Sequence, residues 1–513
     1  MKMNEEQQQI AMMVDESSAR NLDTISAFVN IPYSLISSEV SSDNNATYLE
    51  ELTQIRKNYI TYKRGASFST EGTNGKYIAA DLRYKMASSL INKEARFLFS
   101  ETPDMVVMPK GIEGQLTEEY KKSLQDWNTY IHEVLKKNMF EDLLLKAAKD
   151  CFIGKRVAAM ANFNEEDGIT ITFFPSLQFV YETRDNNPNI LKKFVAFMVI
   201  GNSQSNKAKR IFKKKYELSD NNKLYLTEVI YDGAGSEIEV LSDNRLVEGL
   251  EEIPAVVFIN DGLSGEERGE SEIELLQDFE RWYSRLSSAD IDAERKSMNP
   301  TKYTIDMEGK STENLSTGAG AFWDLQSDQN LDNAHPSVGI LEPDMNYSNS
   351  LKQTLDRIKT VGYEQIDMPN ITLETMQGAI TSGKALKAVY WPLIVRCKEK
   401  MKTWGPKLQD LLKILIDGAL AFPTITQKYI KEPLNDVEYD IEVRQNLPLP
   451  EDEAEEKQLD IAEVEAKVMS RKAYMKKWRN LSDSEVDEEL KQIAFERQLI
   501  DDSEVFPTIP QDV

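Results

Sequence analysis

The sequence predicts an α+β protein of several domains. Helical periodicity runs through most of the chain, whereas residues 156–259 change to the two-residue alternation of strands. The length of 513 residues exceeds what one simple core organises. The composition, with 41% hydrophobic and 29% charged residues, is typical of a soluble folded protein.

Net charge and the numbers of cysteine and histidine residues limit the kinds of function that this chain can have. Tight binding of DNA needs Lys and Arg against phosphate, so with a formal net charge of -25 either nucleic acid is not a partner or it passes the protein without binding. Cys151 and Cys397 are expected to be small buried hydrophobes. Two histidines and no C-x-x-C pattern leave no zinc site. We therefore expect no catalytic residues, no metal, no cofactor, no signal peptide and no membrane span.

The first part of the chain is predicted to be an arm followed by helices. Residues 1–48 are polar and predict a short helix and a loose arm. Helices are then expected over about 48–65, ending at Gly65, over about 79–100, and over about 117–151.

Residues 156–259 predict a mostly antiparallel sheet, with turns at Asp167-Gly168, Asn186-Asn187-Pro188 and Asp232-Gly233. A basic run in this region allows a nucleic-acid interpretation, but no aromatic residues alternate with the charges. A solvated strand face is the favoured interpretation of this run, which comprises Lys207, Lys209, Arg210, Lys213, Lys214 and Lys215.

A capping box at Ser271–Glu274 predicts a helix through about Lys296 with one apolar and one strongly negative face. After Asn299-Pro300, a strand at Lys302–Met307 opens a small β-rich excursion that ends near residue 346. A second capping box, Ser350–Gln353, predicts a helix through about residues 363–366.

The stretch GAITSGKA, residues 378–385, lacks one hydroxyl of a phosphate-binding P-loop. Helix initiation, with Thr381 or Ser382 as the N-cap, is the favoured alternative. A long helix over 384–422 should be kinked or broken at Pro392 and at Gly405-Pro406. A strand at 437–446 and two or three acidic helices, one opened by a capping box at Ser482–Glu485, complete the chain.

Four segments in this order resemble the portal proteins of tailed bacteriophages, particularly the siphophage type of Gram-positive hosts. They are NKEARFLFSETPDMVV (92–107), IPAVVFIND followed by GESEIELLQDFERWYSRLSSADID (253–292), SGKALKAVYWPL (382–393) and DIEVRQNLPLPEDEAE (440–455). The resemblance runs from about Tyr48 to Ile500.

The resemblance implies a ring, usually of twelve subunits, at one capsid vertex of the virion, assembled in the host cytoplasm. Double-stranded DNA would pass through it without sequence-specific binding, during packaging and ejection. The implied partners are the terminase large subunit, a head–tail adaptor, and the major capsid and scaffolding proteins. No enzymatic activity is implied, because the terminase motor hydrolyses the ATP.

The resemblance also assigns parts of the chain by position. The expected parts are an N-terminal arm (1–48), a wing (49–269), a stem helix (270–296), a clip (297–346), a stem or tunnel helix (347–366), a tunnel loop (367–383), a long helix returning to the wing (384–447), and a crown with the C-terminal tail (448–513).

Three sets of site residues follow from this assignment. A ring of twelve would carry a formal charge of roughly -300, which repels phosphate and lets DNA slide. The acidic stem residues are Glu272, Glu274, Asp278 and Glu280. The DNA-facing tunnel-loop residues are Asn370, Ile371, Thr372, Leu373, Glu374, Thr375, Met376 and Gln377, and the clip docking residues are Lys302, Tyr303, Asp306, Glu308, Trp323 and Asp324.

Two other functions remain open at the level of sequence. A scaffolding or adaptor protein without a channel would also be acidic and helical, although the long β-rich stretch argues against a simple helical scaffold. A P-loop ATPase is disfavoured, because Ala385 has no hydroxyl for Mg²⁺ and the residues before Gly378 do not form a hydrophobic strand.

Overall fold

The structure is a computed structural model, and it falls into two units that are described separately. The first comprises Met1–Asn370 and Pro392–Pro448, and the second Ile371–Trp391 and Leu449–Val513. The described residues are 31–40, 45–68, 79–110, 117–200, 210–219, 221–263, 268–298, 301–306, 335, 337–341, 345–371, 383–431, 434–448, 453–479 and 486–495. In these ranges, no helix is long and apolar enough to cross a membrane.

The first unit begins with helices. They are α1 Tyr33–Ser37, α2 Asn45–Arg64, α3 Met86–Phe99, α4 Glu118–Lys137 and α5 Phe140–Gly154. Helix α2 ends as predicted at Gly65, whose φ of +84° is the left-handed conformation that favours glycine after a helix. The N-cap of α4 is Thr117, whose hydroxyl accepts a hydrogen bond from the Tyr120 N–H.

Two helix predictions were wrong in extent. The helix expected from residue 79 begins only at Met86, because residues 79–85 are extended. The helix expected over 117–151 is two helices. The break lies at Asn138-Met139, where Met139 adopts a left-handed φ of 50° and the Asn138 side-chain amide donates to the Ile169 carbonyl.

The prediction of antiparallel strands over residues 156–259 is confirmed. The strands are β1 Asp104–Pro109, β2 Arg156–Asn164, β3 Gly168–Pro175, β4 Phe179–Arg184, β5 Asn187–Ile200, β6 Arg210–Leu218, β7 Leu224–Asp232, β8 Glu237–Val247 and β9 Ala255–Ile259. Strands β2 to β9 form two sheets, one with the order β3-β2-β9 and the other with the order β4-β5-β6-β7-β8. Their facing apolar residues, among them Phe174, Phe194 and Tyr216, form one buried core.

Three described residues of the basic run are paired, so the interpretation as a solvated strand face was wrong for them, whereas Arg210 is exposed as predicted. Lys213 is only 8% exposed, and its Nζ lies 2.6 Å from Glu39 Oε1. Lys214 and Lys215 lie 3.4 Å and 2.7 Å from Glu228 and Glu217. Lys207 and Lys209 lie outside the described residues.

The chain then forms helix α6 Glu272–Met298, the strand pair β10 Thr301–Ile305 and β11 Ser337–Leu341, and helix α7 Ser348–Glu364. Helix α7 starts two residues before the predicted capping box. Ser350 therefore lies inside the first turn, and the second capping box was wrong.

The long helical segment is interrupted once. Helix α8 Gly383–Val389 belongs to the second unit, and helix α9 Trp391–Ala421 follows after a turn at Tyr390, next to Pro392 as predicted. No break occurs at Pro406, which lies inside α9. The first unit closes with α10 Pro423–Thr426 and with β12 Tyr439–Arg444, the predicted strand, which pairs with β1.

The second unit contains α11 Glu453–Glu465, α12 Arg471–Arg479 and a helical stretch at 486–495. The tail helices were predicted to be acidic, but α12 is basic. Asp460 of α11 accepts a hydrogen bond from Trp478 Nε1 at 2.7 Å and lies 2.9 Å from Lys477 Nζ, which joins α11 to α12. The predicted capping box at Ser482–Glu485 lies outside the described residues.

Candidate functional site

Helices α6 and α7 form an antiparallel pair. Near one end, Tyr347 donates a hydrogen bond to Asp290 at 3.2 Å. Near the other, a Cβ at Gly362 would lie 3.7 Å from the Cβ of Phe279. The strands β10 and β11 lie between the two helices along the chain. Because the helices run in opposite directions, these strands lie at the end of the helix pair where Asp290 and Tyr347 meet.

The β10–β11 pair exposes apolar side chains on both faces. Tyr303 and Ile305 are 44% and 48% exposed, and Val338 and Ile340, on the opposite face, are 45% and 55% exposed. Tyr303 lies over Gly339, where a Cβ would overlap its ring. An isolated two-stranded sheet is at best marginally stable in water.

The predicted docking residues are only partly placed. Lys302 and Tyr303 lie in β10, and Asp306 follows it and accepts a hydrogen bond from the His335 N–H at 3.0 Å. Glu308, Trp323 and Asp324 lie outside the described residues.

The acidic stem prediction was wrong for two of its four residues. Glu272 and Glu280 are 1% and 0% exposed, so neither presents its charge to solvent. Glu274 is half-buried and does not close the predicted capping box, since it accepts from Asn58 and lies 3.3 Å from Lys155. Asp278 is exposed and pairs with Arg281 at 2.8 Å.

The buried polar face of α6 forms a ladder of acceptors for an extended segment. Four side chains at four-residue spacing, Glu280, Ser284, Ser288 and Asp292, accept backbone N–H groups at 2.6–3.1 Å. Glu280 accepts from the N–H groups of Ala66 and Ala87. Ser284 accepts from Tyr84, Ser288 from Leu82, and Asp292 from Ala80. Two acidic residues of the predicted negative face, Glu280 and Asp292, are thus internal acceptors.

The first turn of α6 is also fixed by a buried charge network. Glu272 accepts from Lys400 and from Arg396, both at 2.7 Å, and Arg396 also donates to Glu94 at 2.8 Å. Although burial opposes its ionisation, Lys400 and Arg396 hold the pKa of Glu272 at about 2. Burial and the nearby Glu272 carboxylate raise the pKa of Glu94. The network joins α3, α6 and α9.

The described start of the predicted tunnel loop lies beside this network. Ile366 and Met368 are buried, and between them Asp367 adopts a left-handed φ of 54° and lies 3.9 Å from Arg396. Asn370 is exposed and Ile371 is half-buried. The other loop residues, Thr372–Gln377, lie outside the described residues.

The geometry gives no support to a phosphate loop. Residues 365–371, the described stretch before GAITSGKA, contain no strand, and Lys384 follows Gly383 in the first turn of α8. Helix initiation at this point is therefore confirmed, whereas the expected cap residues, Thr381 and Ser382, lie outside the described residues.

The two cysteines are buried, as predicted. Burial raises the pKa of the Cys151 thiol, and it raises the pKa of Cys397 to about 12. Both thiols are therefore protonated and unreactive near neutral pH. Within the described ranges, no group of His, Cys, Asp and Glu side chains could hold a metal ion.

Comparison with family models gives a match over most of the chain. The family model described as phage portal protein, SPP1 Gp6-like, matches residues 43–502. A search of curated proteins found no match. Since the matched range includes the sheets, both α6 and α7, the β10–β11 pair and the C-terminal helices, the chain belongs to the phage portal proteins of the SPP1 Gp6-like family, virion components with a role in DNA packaging.

Proposed function

We propose that this chain is one subunit of a ring of twelve at a single capsid vertex, and that double-stranded DNA passes through the ring during packaging and ejection. The observation that carries the proposal is the family match over residues 43–502, together with the helix–hairpin–helix arrangement of α6, β10–β11 and α7 within it. In this proposal the ring acts as a conduit for DNA rather than as an enzyme.

The β10–β11 pair is the docking surface for the terminase large subunit and later for the head–tail adaptor. Its four exposed apolar side chains on two faces need cover, which another protein supplies. Lys302, Tyr303 and Asp306 take part, with Glu308, Trp323 and Asp324 of the same excursion. The major capsid and scaffolding proteins contact the outside of the ring, which is assembled in the host cytoplasm.

The loop over residues 367–383 contacts the DNA. Its entry is fixed by the buried side chains of Ile366 and Met368, and Asn370 is exposed beyond them. The chain carries a net charge of -25, so the ring repels phosphate, and duplex DNA slides rather than binds.

A docking experiment tests the partner surface. Ile340→Glu places a charge on one exposed face of β11, and Val468→Glu, on an exposed residue of the second unit, is the matched control. We expect Ile340→Glu to weaken capture of the terminase large subunit at least tenfold, whereas the control binds as the wild type does. Equal capture by both variants would remove the hairpin from the docking surface.

A scaffolding or adaptor protein without a channel is the second candidate, and a P-loop ATPase is the least favoured. Nucleotide hydrolysis by the purified chain, abolished by Lys384→Ala, would revive the enzyme.

A further inference from the structure

Helix α6 leaves one row of side chains exposed on the side away from its buried polar face. The residues alternate in spacings of three and four, which keeps them on one side of the helix, and they are Leu275, Asp278, Trp282, Arg285 and Ala289. Trp282, in the middle of this outer row of α6, is 52% exposed, and the Arg285 guanidinium lies 5.3 Å from the centre of its ring. Because Trp and Arg are enriched among the residues that anchor interfaces, the row has the composition of a contact surface.

Helix α7 carries a second row with the same alternation of spacings, which comprises Lys352, Asp356, Lys359 and Tyr363. In this outer row of α7, Lys352 and Asp356 are exposed, whereas Lys359 and Tyr363 are half-buried. The Lys359 ammonium lies 6.0 Å from the centre of the Tyr363 ring. The row therefore offers charged groups of both signs, which suit the Trp and Arg side chains of the outer row of α6.

The two outer rows lie on opposite sides of the helix pair. Phe279 and Gly362 mark the line along which α6 and α7 touch. Asp278 of one row precedes Phe279 by one position, and Tyr363 of the other follows Gly362 by one position. Since one residue is a turn of about 100° and the helices are antiparallel, these two offsets point to opposite sides of the pair. Different surfaces on opposite sides of one subunit suit a head-to-tail contact, which closes into a ring.

The two rows also match in their levels along the helix axes. A Cβ at Gly362 would lie 3.7 Å from the Cβ of Phe279, so these two residues are level with each other. Arg285 lies six residues after Phe279, and Asp356 lies six residues before Gly362. Because both helices rise by the same distance per residue, Arg285 and Asp356 are level too.

The same count makes Trp282 level with Lys359, each being three residues away from the touching pair. A rotation about a ring axis parallel to the helices does not change these levels, so residues that are level within one copy are also level between neighbouring copies. The two rows can therefore meet between copies with an arginine opposite a carboxylate and an indole ring opposite an ammonium.

We propose that the outer row of α6 in one copy of this chain packs against the outer row of α7 in the next copy, with Arg285 opposite Asp356 and Trp282 opposite Lys359. The inference rests on the ring proposed above, and it assigns part of the contact between its subunits. Both pairs are attractive, the first as a charge-assisted hydrogen bond and the second as a cation–π contact. A second copy is the occupant because the chain itself presents the matching row at the matching level.

A charge swap tests the pair of Arg285 and Asp356. Arg285→Glu should lower the fraction of protein in closed rings at least tenfold in electron micrographs, because it sets two carboxylates against each other. Adding Asp356→Arg should restore the rings, since the pair forms again with its charges exchanged. Adding Glu364→Arg instead is the control, because it changes the net charge equally on an exposed residue of α7 that is not level with Arg285.

The wild type, imaged alongside the variants, distinguishes the packing from the ring. Wild-type rings that Arg285→Glu leaves unchanged would overturn the packing while the ring itself stands. Rescue by both second substitutions, or by neither, would overturn it as well, because the loss would then not depend on this pair. A wild type that forms no rings in any condition would overturn the ring and the packing with it.

A disulfide tests the same packing without a change in charge pairing. Ala289 lies ten residues after Phe279, and Lys352 lies ten residues before Gly362, so these two residues are also level. Oxidation of Ala289→Cys with Lys352→Cys should link separate chains, because within one chain the two thiols lie on opposite sides of the helix pair. Lys352→Cys alone is the control and should give no link, since the native thiols are buried. Chains of the double variant that stay unlinked would contradict the packing.

Discussion

At the scale of single residues, buried charge is the feature least accessible to sequence. Glu272 and Glu280 follow an acidic pattern that sequence reasoning assigned to an exposed face, but both are buried among internal partners. Their partners, Lys400 and the Ala66 N–H, lie more than a hundred residues away along the chain. Helical spacing indicates which side chains share a face, but it does not indicate what that face contacts.

The charge network predicts a specific dependence of stability on pH. The pKa of Glu272 is lowered to about 2 from the ordinary value of 4.5, so its stabilising contribution is complete above pH 4.5 and is lost as the pH falls through about 2. The raised pKa of Glu94 acts in the opposite direction, since its ionisation is unfavourable in the folded protein.

We expect Glu272→Gln to lower the free energy of unfolding by about 3 kcal/mol at pH 7, because Lys400 and Arg396 lose their principal partner. The loss should shrink towards pH 2, where the wild-type carboxylate is itself protonated. Urea unfolding of the variant and the wild type at pH 7 and near pH 2 measures the loss of unfolding free energy. Asp278→Asn, on an exposed residue of the same helix, is the control and should change stability by less than about 0.5 kcal/mol. A loss that is independent of pH would contradict the role of the ion pairs.

Two glycines of α9 should respond differently to alanine. A Cβ at Gly418 would overlap the Phe163 ring, so Gly418→Ala should lower the unfolding free energy by about 1–3 kcal/mol. Apart from its chain neighbours and the backbone of α9, a Cβ at Gly405 would have no atom within 4 Å, but Pro406 follows it and disfavours a helical conformation at a residue with a Cβ. Gly405→Ala should therefore change the unfolding free energy by less than about 1 kcal/mol. Thermal unfolding of both variants gives the comparison, and equal losses would show that the Phe163 contact does not decide the effect.

At the scale of elements, sequence patterns located most helices and strands but not all of their limits. The helix predicted from residue 79 failed because Ala80, Leu82 and Tyr84 donate their N–H groups to side chains of α6 instead of to a preceding turn. The second capping box failed because Ser350 lies within a helix that had already begun. The four-residue spacing from Glu280 to Asp292 was visible in the sequence, but nothing local identified its extended partner.

The acceptor ladder predicts how firmly the extended segment is held. Ser284→Ala with Ser288→Ala leaves the N–H groups of Tyr84 and Leu82 without their acceptors, so amides 80–87 should exchange faster by at least tenfold. Ser350→Ala, on an exposed serine of α7, is the control and should leave this exchange unchanged. Unchanged exchange in the double variant would show that the ladder does not hold the segment.

At the scale of the whole molecule, the order of parts was predictable and the long-range pairing was not. The sheet region, the helix–hairpin–helix order and the late strand follow from periodicity and turn residues, and the family match confirms the portal assignment. The pairing of β1 with β12 joins residues more than three hundred positions apart, for which a single sequence contains no signal.

The proposed contact between the tunnel loop and DNA makes a prediction for the assembled particle. Replacing Ile371–Gln377 with a short Gly-rich link should leave ring assembly intact, because the buried anchors Ile366 and Met368 are kept. DNA packaging or retention should fall, since the loop no longer reaches the duplex. Packaged DNA per particle measures this, and loss of the ring itself would instead make the segment structural.

The central claim is that this chain forms a closed ring with a channel for DNA, and electron microscopy of the purified protein tests it most directly. Class averages should show closed rings, of twelve subunits, with a central opening wider than duplex DNA. Only monomers or open assemblies, in every condition of salt and protein concentration, would contradict the account.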